Sequence, residues 1–409
     1  MGGLKFPAFP VVALASFFLT SLSAMSQAWV QSSASVGEYW HSVASSADGT
    51  KLVAVSFDID FSLDFLPPPT GGIYLSTNSG ATWTLSPTAP TGGWICVSSS
   101  ADGSKLAALD GGGLIYISTT AGKNWKATLT QPQFLDCIAC SSVGNKLVAG
   151  AWNDFVGSPS LIYTSGTFGS RLRKSDSLSQ YWTSLACSGD GKRLVASCVN
   201  ASDTGGIYIS RDFGETWHRS RAPAGNWYAV ASSADGTKLA AAISGGPIYI
   251  STNSGAAWSA KIVPAAAWTS LAFSADGEKL VAVSNYGGPI FTSDDSGNSW
   301  TQADAPLKHW LSVASSADGN KVVAASFEDG IYTLQKTPTP QLVYGHTKRI
   351  MTISWTVPSA LFVLQQSADS VNWENVTTRP ILNLSKLIYQ VTLPATPDNK
   401  NSVFRLLAQ

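Results

Sequence analysis

The chain has 409 residues, of which 44% are hydrophobic, enough to bury cores in two or three domains and too many for a disordered protein. Lys+Arg and Asp+Glu both number 26, and only 13% of residues are charged. No electrostatic field therefore favours a polyanion, and nucleic acid is excluded as an expected partner.

In chain order, the first segment is MGGLKFPAFPVVALASFFLTSLSAMSQA, with one lysine, an uncharged apolar run and then small residues. That order predicts a secretory signal over 1–28 and a mature protein that is secreted, or periplasmic in a Gram-negative bacterium. The apolar run is shorter than a bilayer needs, so no transmembrane segment is expected after cleavage. Five cysteines are an odd and sparse set for an exported chain, read as packed small residues or as disulfides with one thiol left over.

From Trp40 onward the sequence repeats. WHSVASSADGTKLVAV returns with small changes at Trp94, Trp182, Trp227, Trp268 and Trp310, and a seventh copy begins at Leu135 without the tryptophan. Each copy is a β-run, a turn of Asp-Gly type and a second β-run, the pattern of a hairpin. A third run such as GGIYIS follows, then the segment STNSGATW or a variant, then a fourth run. Four strands per unit, at intervals from 41 residues (Trp94 to Leu135) to 54 (Trp40 to Trp94), predict the blades of a β-propeller.

The recurring segment starts at Ser76, Ser118, Ser165, Ser210, Ser251 and Ser293, and fits S-x-[D/N/T]-x-G-x-x-[W/L]. Its third position is Asn78, Thr120, Thr167, Asp212, Asn253 or Asp295; all offer a side-chain oxygen, but only two are ionisable. A turn-bridging acceptor meets that requirement, whereas a catalytic acid would not tolerate Asn and Thr. The motif resembles the Asp-box, or BNR, repeat of propellers that include sialidases, some glucan hydrolases, sortilin-type receptors and a photosystem assembly factor. That resemblance implies an architecture rather than an activity. The sialidase Arg-Ile-Pro motif is absent, and no arginine triad can be assembled.

The seventh unit has no such segment and no fourth strand. Trp29 precedes Trp40 by the same eleven residues that separate Trp83 from Trp94, so the strand around AWVQSS is expected to complete blade seven and close the ring. The fold class is thus all-β: a seven-bladed propeller over 29–335 with its last outer strand from the N-terminus. A Pro-rich linker, 336–341, leads to a small β-sandwich over 342–409. There MTISWTVPSA resembles the second strand of a fibronectin type III domain, with Trp355 as its core residue.

This strand order puts the Asp-Gly turns and the boxes at one end of every blade. The opposite end carries loops of variable length and composition, where a binding site is expected. Trp40, Trp94, Trp182, Trp227, Trp268 and Trp310 start the inner strands at that end, and either stack on sugar rings or wedge the blades apart. The acids there are Asp58, Asp60, Asp154, Asp203, Glu328 and Asp329; Asp58, Asp60 and Asp64 sit among phenylalanines in a blade-one insertion that would cap the mouth or bind a cation. His41 and His309 flank adjacent blades, but no metal or cofactor set assembles around them. Three readings follow: a non-catalytic module that binds a glycan or protein, a glycoside hydrolase with paired carboxylates, and an assembly-factor-like scaffold. Oligomeric state is not legible.

Overall fold

The computed structural model describes residues 29–34, 37–57, 70–128, 135–152, 160–200, 204–335, 343–346, 350–356, 362–368, 372–383, 388–394 and 403–408. Within them the chain is all-β, in seven four-stranded antiparallel sheets followed by one sheet of four strands and one of three. Six of the seven blades are built in sequence from the axis outward. Blade 1, for example, runs Trp40–Ser45, Leu52–Ser56, Ile73–Ser76 and Thr84–Leu85.

Blade 7 breaks that rule as expected. Its strands Trp310–Ser315, Lys321–Ser326 and Gly330–Gln335 are joined on the outside by Val30–Gln31, with Val30 opposite Thr333 and Gln31 opposite Tyr332. Trp29 is 8% exposed and lies 6.3 Å from the Trp310 ring. Ser32 N–H then donates to Ile331 O at 2.8 Å.

The second strand of each blade is flanked on both faces, so its residues are buried without alternation; all five of Leu52–Ser56 are buried. Its central alanine faces a larger residue of the inner strand in every blade: Val43 opposes Ala54, Leu185 opposes Ala196, and Val313 opposes Ala324. Small against large lets the sheets nest. The inner-strand tryptophan then fills the wedge against the preceding blade. Trp94 packs on Val53, Val55 and Ile73, and Trp40 closes the circle on Val323, Ala325 and Ile331 of blade 7.

At the axis a single ring of backbone hydrogen bonds ties all seven blades. Ala47 donates to Ala101, Ala101 to Ser142, Ser142 to Gly189, Gly189 to Ala234, Ala234 to Ala275, Ala275 to Ala317, and Ala317 back to Ala47, each at 2.7 to 2.9 Å. Farther out, a basic residue of each blade lies across the Asp-Gly turn of the next. A Cβ on Gly103 would sit 2.8 Å from Lys51 Cδ, and one on Gly49 would meet Lys321 at the same distance. These glycines also hold positive φ, 66° and 63°.

The trailing strands form a sheet in the order Val343–His346, Ile350–Thr356, Ile388–Pro394, Ile381–Asn383, and a second of Glu374–Asn375, Phe362–Ser367 and Val403–Ala408. Met351, Ile353, Trp355, Leu364, Val391 and Leu393 form their common core, with Trp355 3% exposed. Tyr389 also packs into the alanine cluster around Ala317.

Trp29→Ala is expected to lower stability by about 3 kcal/mol or more, read as a lower urea midpoint. An unchanged midpoint would show that the terminal strand does not hold the ring.

Candidate functional site

The recurring segment is a turn, and its oxygen is consumed there. In the copy from Ser76, the Ser76 hydroxyl accepts from Gly80 N–H at 2.9 Å, and Asn78 Oδ1 accepts from Thr82 N–H at 2.9 Å. Asp212 receives Thr216 N–H and Asn253 receives Ala257 N–H in the same way, and the Thr120 hydroxyl receives Asn124 N–H. In the Thr167 copy the hydroxyl stands 3.3 Å from Ser165 Oγ. The Ser299 hydroxyl, the Ser299 N–H and the Ser293 hydroxyl hold the Asp295 carboxyl down to about 2, too low for a general acid. Positive φ falls on the residue before the glycine as well as on the glycine, Ser79 at 58° and Gly80 at 87°, so the turn needs two successive left-handed residues. Each turn is tied to its own Asp-Gly hairpin; Ser79 N–H donates to Thr50 O at 2.9 Å. Both therefore lie on one rim, where the chemistry is structural and repeated.

The opposite rim differs from blade to blade. The six tryptophans at its inner strands are 0–1% exposed, and Trp182, Trp227 and Trp268 spend their indole N–H on Ser160, Pro223 and Gly246 carbonyls. They wedge blades, and no sugar ring can reach them. What reaches the mouth is the next residue. In every blade the inner-strand register shifts just after the tryptophan, or after Leu135 in blade 3, so Trp40 opposes Ser56 and Ser42 opposes Val55 while His41 has no ladder partner. The bulge re-aims that extra side chain. Around the ring these residues are His41, Ile95, Asp136, Thr183, Tyr228, Thr269 and Leu311. Innermost strands meet solvent only along the axis and its mouth, and there Asp136 is exposed and Tyr228 is 41% exposed.

Aromatic side chains surround this ring. Tyr39 stacks on Phe327 at 4.7 Å, His41 lies between Phe57 at 5.4 Å and Phe327 at 6.0 Å, and Trp152 approaches Tyr181 at 5.9 Å. Tyr286, 79% exposed with φ of 55°, stands 6.2 Å from His309. Desolvation between its rings pushes the His41 imidazole down to about 4, so it is neutral at physiological pH. Asp136 is wetted by the channel yet enclosed by protein, and that desolvation pushes its carboxyl up to about 6.

Of the acids expected at the mouth, Asp58, Asp60, Asp64, Asp154 and Asp203 lie outside the described residues. Glu328 is exposed, and Asp329 pairs with Lys308 at 3.0 Å. His41 and His309 face different aromatic neighbours. Among the described residues no group of three His, Cys, Asp or Glu could hold a metal ion. All five cysteines are free; Cys96 and Cys137 stand in the inner-strand position that Ser42 and Ser184 fill elsewhere, with thiols pushed up by burial. At that position the side chain spans to the next blade: Val97 N–H donates to Ser42 Oγ at 3.2 Å and Val230 N–H to Ser184 Oγ at 3.2 Å.

Asp136 and Tyr228 were not singled out from the sequence. Their signal is the residue after the repeat's first position, which changes from His to Ile, Asp, Thr, Tyr and Leu inside an otherwise uniform frame.

Neither a family model nor a curated protein matches this chain. Solved structures do. YCF48 from Cyanidioschyzon merolae is similar with a TM-score of 0.54 at 15% identity, covering 76% of this chain and 98% of that one. YCF48 bound to D1 peptide gives 0.55 at 14%, covering 76% and 97%. A chain of the mitotic checkpoint complex gives 0.59 at 14%, covering 82% and 99%. At such identities the likeness is one of fold.

His41 yields a pH prediction. Its folded pKa lies below the unfolded value of about 6.5, so stability is full above about 6.5 and falls as the pH drops towards 4, by up to about 3 kcal/mol. Thermal unfolding of His41→Gln against the parent is expected to remove this part of the acid slope; parallel curves would refute it.

Proposed function

We propose that this chain is an exported, non-catalytic binding propeller that takes a protein ligand at the variable mouth. The observation that carries the reading is the contrast between rims: one repeats a self-satisfied turn, while the other turns unlike side chains inward from seven bulges and rings them with half-exposed aromatics. Aromatic groups with one apolar face and a polar tip are the usual anchors of protein recognition. A propeller of similar fold is described as bound to a peptide, which supports a protein over a glycan. With the indoles buried, the stacking surface expected for sugars is gone.

The wider assignments belong to the same proposal. Segment 1–28 acts as the export signal, the S-x-[D/N/T]-x-G turns are Asp-boxes, and the trailing sheets are a fibronectin III-like module that spaces the propeller from its surroundings. An assembly-factor-like scaffold would use the same mouth.

A second reading rests on one group. A carboxyl raised to about 6 is suited to protonate a leaving group, so Asp136 would serve as general acid in a glycoside hydrolase of this architecture. Its partner carboxylate would have to stand roughly 5 to 9.5 Å away.

Screening the exported protein on peptide and glycan arrays, alongside hydrolysis assays, separates the readings. Tyr228→Ala and Phe327→Ala are each expected to weaken peptide binding by about tenfold or more, with Lys51→Ala on the other rim neutral. Binding lost only with Lys51, or glycan cleavage abolished by Asp136→Asn, would overturn the proposal.

A further inference from the structure

The seven innermost strands contain no lysine or arginine, and Asp136 is their one carboxylate. Histidine occurs once, at His41, and is neutral. The two ring positions beside Asp136 are Ile95 and Thr183, and the Thr183 hydroxyl is already used, donating to Trp227 O at 2.6 Å. Among the described residues none donates a hydrogen bond to the Asp136 carboxylate or pairs with it. Its raised pKa has desolvation as its cause, which is the response of a carboxylate with no cation beside it. A single negative charge between low-dielectric walls focuses the field along the axis towards the mouth.

We propose that the mouth admits a guanidinium or ammonium side chain of a protein partner, with Asp136 as its counter-ion on the axis and Tyr228 as its aromatic wall. The inference deepens the mouth reading and rests on it. A metal ion is the poorer occupant, because no second acid, thiolate or imidazole joins Asp136 to complete a coordination set among the described residues. A planar or tetrahedral organic cation needs only one carboxylate and an aromatic face, and both are present at ring positions two blades apart. The lining of the opposite end of the channel carries no charge: serine, alanine, Gly189, Cys140, Cys187 and Phe273 surround a space of about 160 Å³, and both thiols are held protonated.

The test is calorimetric titration of the full mature chain with N-acetyl-arginine methylamide, N-acetyl-lysine methylamide and the uncharged citrulline analogue. Saturable binding of either cation, at least about tenfold tighter than citrulline, is expected. Asp136→Asn should abolish that preference and Asp136→Glu should retain it, with unfolding midpoints confirming that both variants fold. No preference for the cations, or an undiminished one in Asp136→Asn, overturns the inference. Binding of spermidine but of neither amide overturns it too, by making the occupant a free polyamine. Peptide binding that survives Asp136→Asn but falls in Tyr228→Ala would defeat the counter-ion while leaving the mouth as the binding surface.

Discussion

A propeller has one recurrent weakness, and this chain answers it with one interaction. The innermost strand of each sheet turns a free edge towards the axis, where N–H and C=O groups would otherwise go unpaired. Seven backbone hydrogen bonds, passed from Ala47 around to Ala317 and back, satisfy that edge at one rim. Side chains continue the task along the strand. The hydroxyls of Ser42, Ser184, Ser270 and Ser312 accept an N–H from the following blade, and those of Thr183 and Thr269 donate to a carbonyl there. Every strap crosses to the next blade, so none of the sheets is satisfied until the circle is complete.

That dependence explains why so much of the repeat is uniform. The position after the bulge must be small enough to fit between sheets: it is serine in four blades, Ala229 in blade 5, and cysteine at Cys96 and Cys137, with sulfur contacts of 4.0 Å to Ile138 O and 3.9 Å to Trp182 O. The alanine of the second strand must stay small because a larger residue faces it. What varies most is the bulged position, which has no ladder partner: Thr183 and Thr269 use it to reach the next blade, whereas Asp136 and Tyr228 leave it open to the channel. At those open positions assembly makes the fewest demands, and function can accumulate there.

The architecture was legible because repetition multiplies a weak local signal. One Asp-Gly hairpin means little, but six in register with a seventh at Val143-Gly144, and Trp29 as far before Trp40 as Trp83 is before Trp94, specify the count and the closure. In the trailing module MTISWTVPSA marks the strand Ile350–Thr356, whereas Val343–His346 and Ile381–Asn383 are not legible, since a short run with glycine or beside a proline carries no clear alternation. The site was harder. Tryptophan at a strand start attracts attention, yet its burial depends on the wedge angle between sheets, which one sequence does not state. Asp136 hides in a copy that lacks the tryptophan, and its exposure follows from a register shift visible only once the partner strand is placed. The oxygens at the third position of the recurring segment accept hydrogen bonds within the turn, a role that Asn and Thr can fill without a carboxylate's proton chemistry.

The basic residue that each unit lays over its successor's glycine gives the joints a direction. Seven joints of similar build mark no first member. What distinguishes the true start is that the covalent gap falls within a sheet, between Val30–Gln31 and its neighbour, and not between sheets. The order of units is thus recorded by a single seam, and moving that seam by permutation would renumber the molecule while leaving every wedge and strap in place.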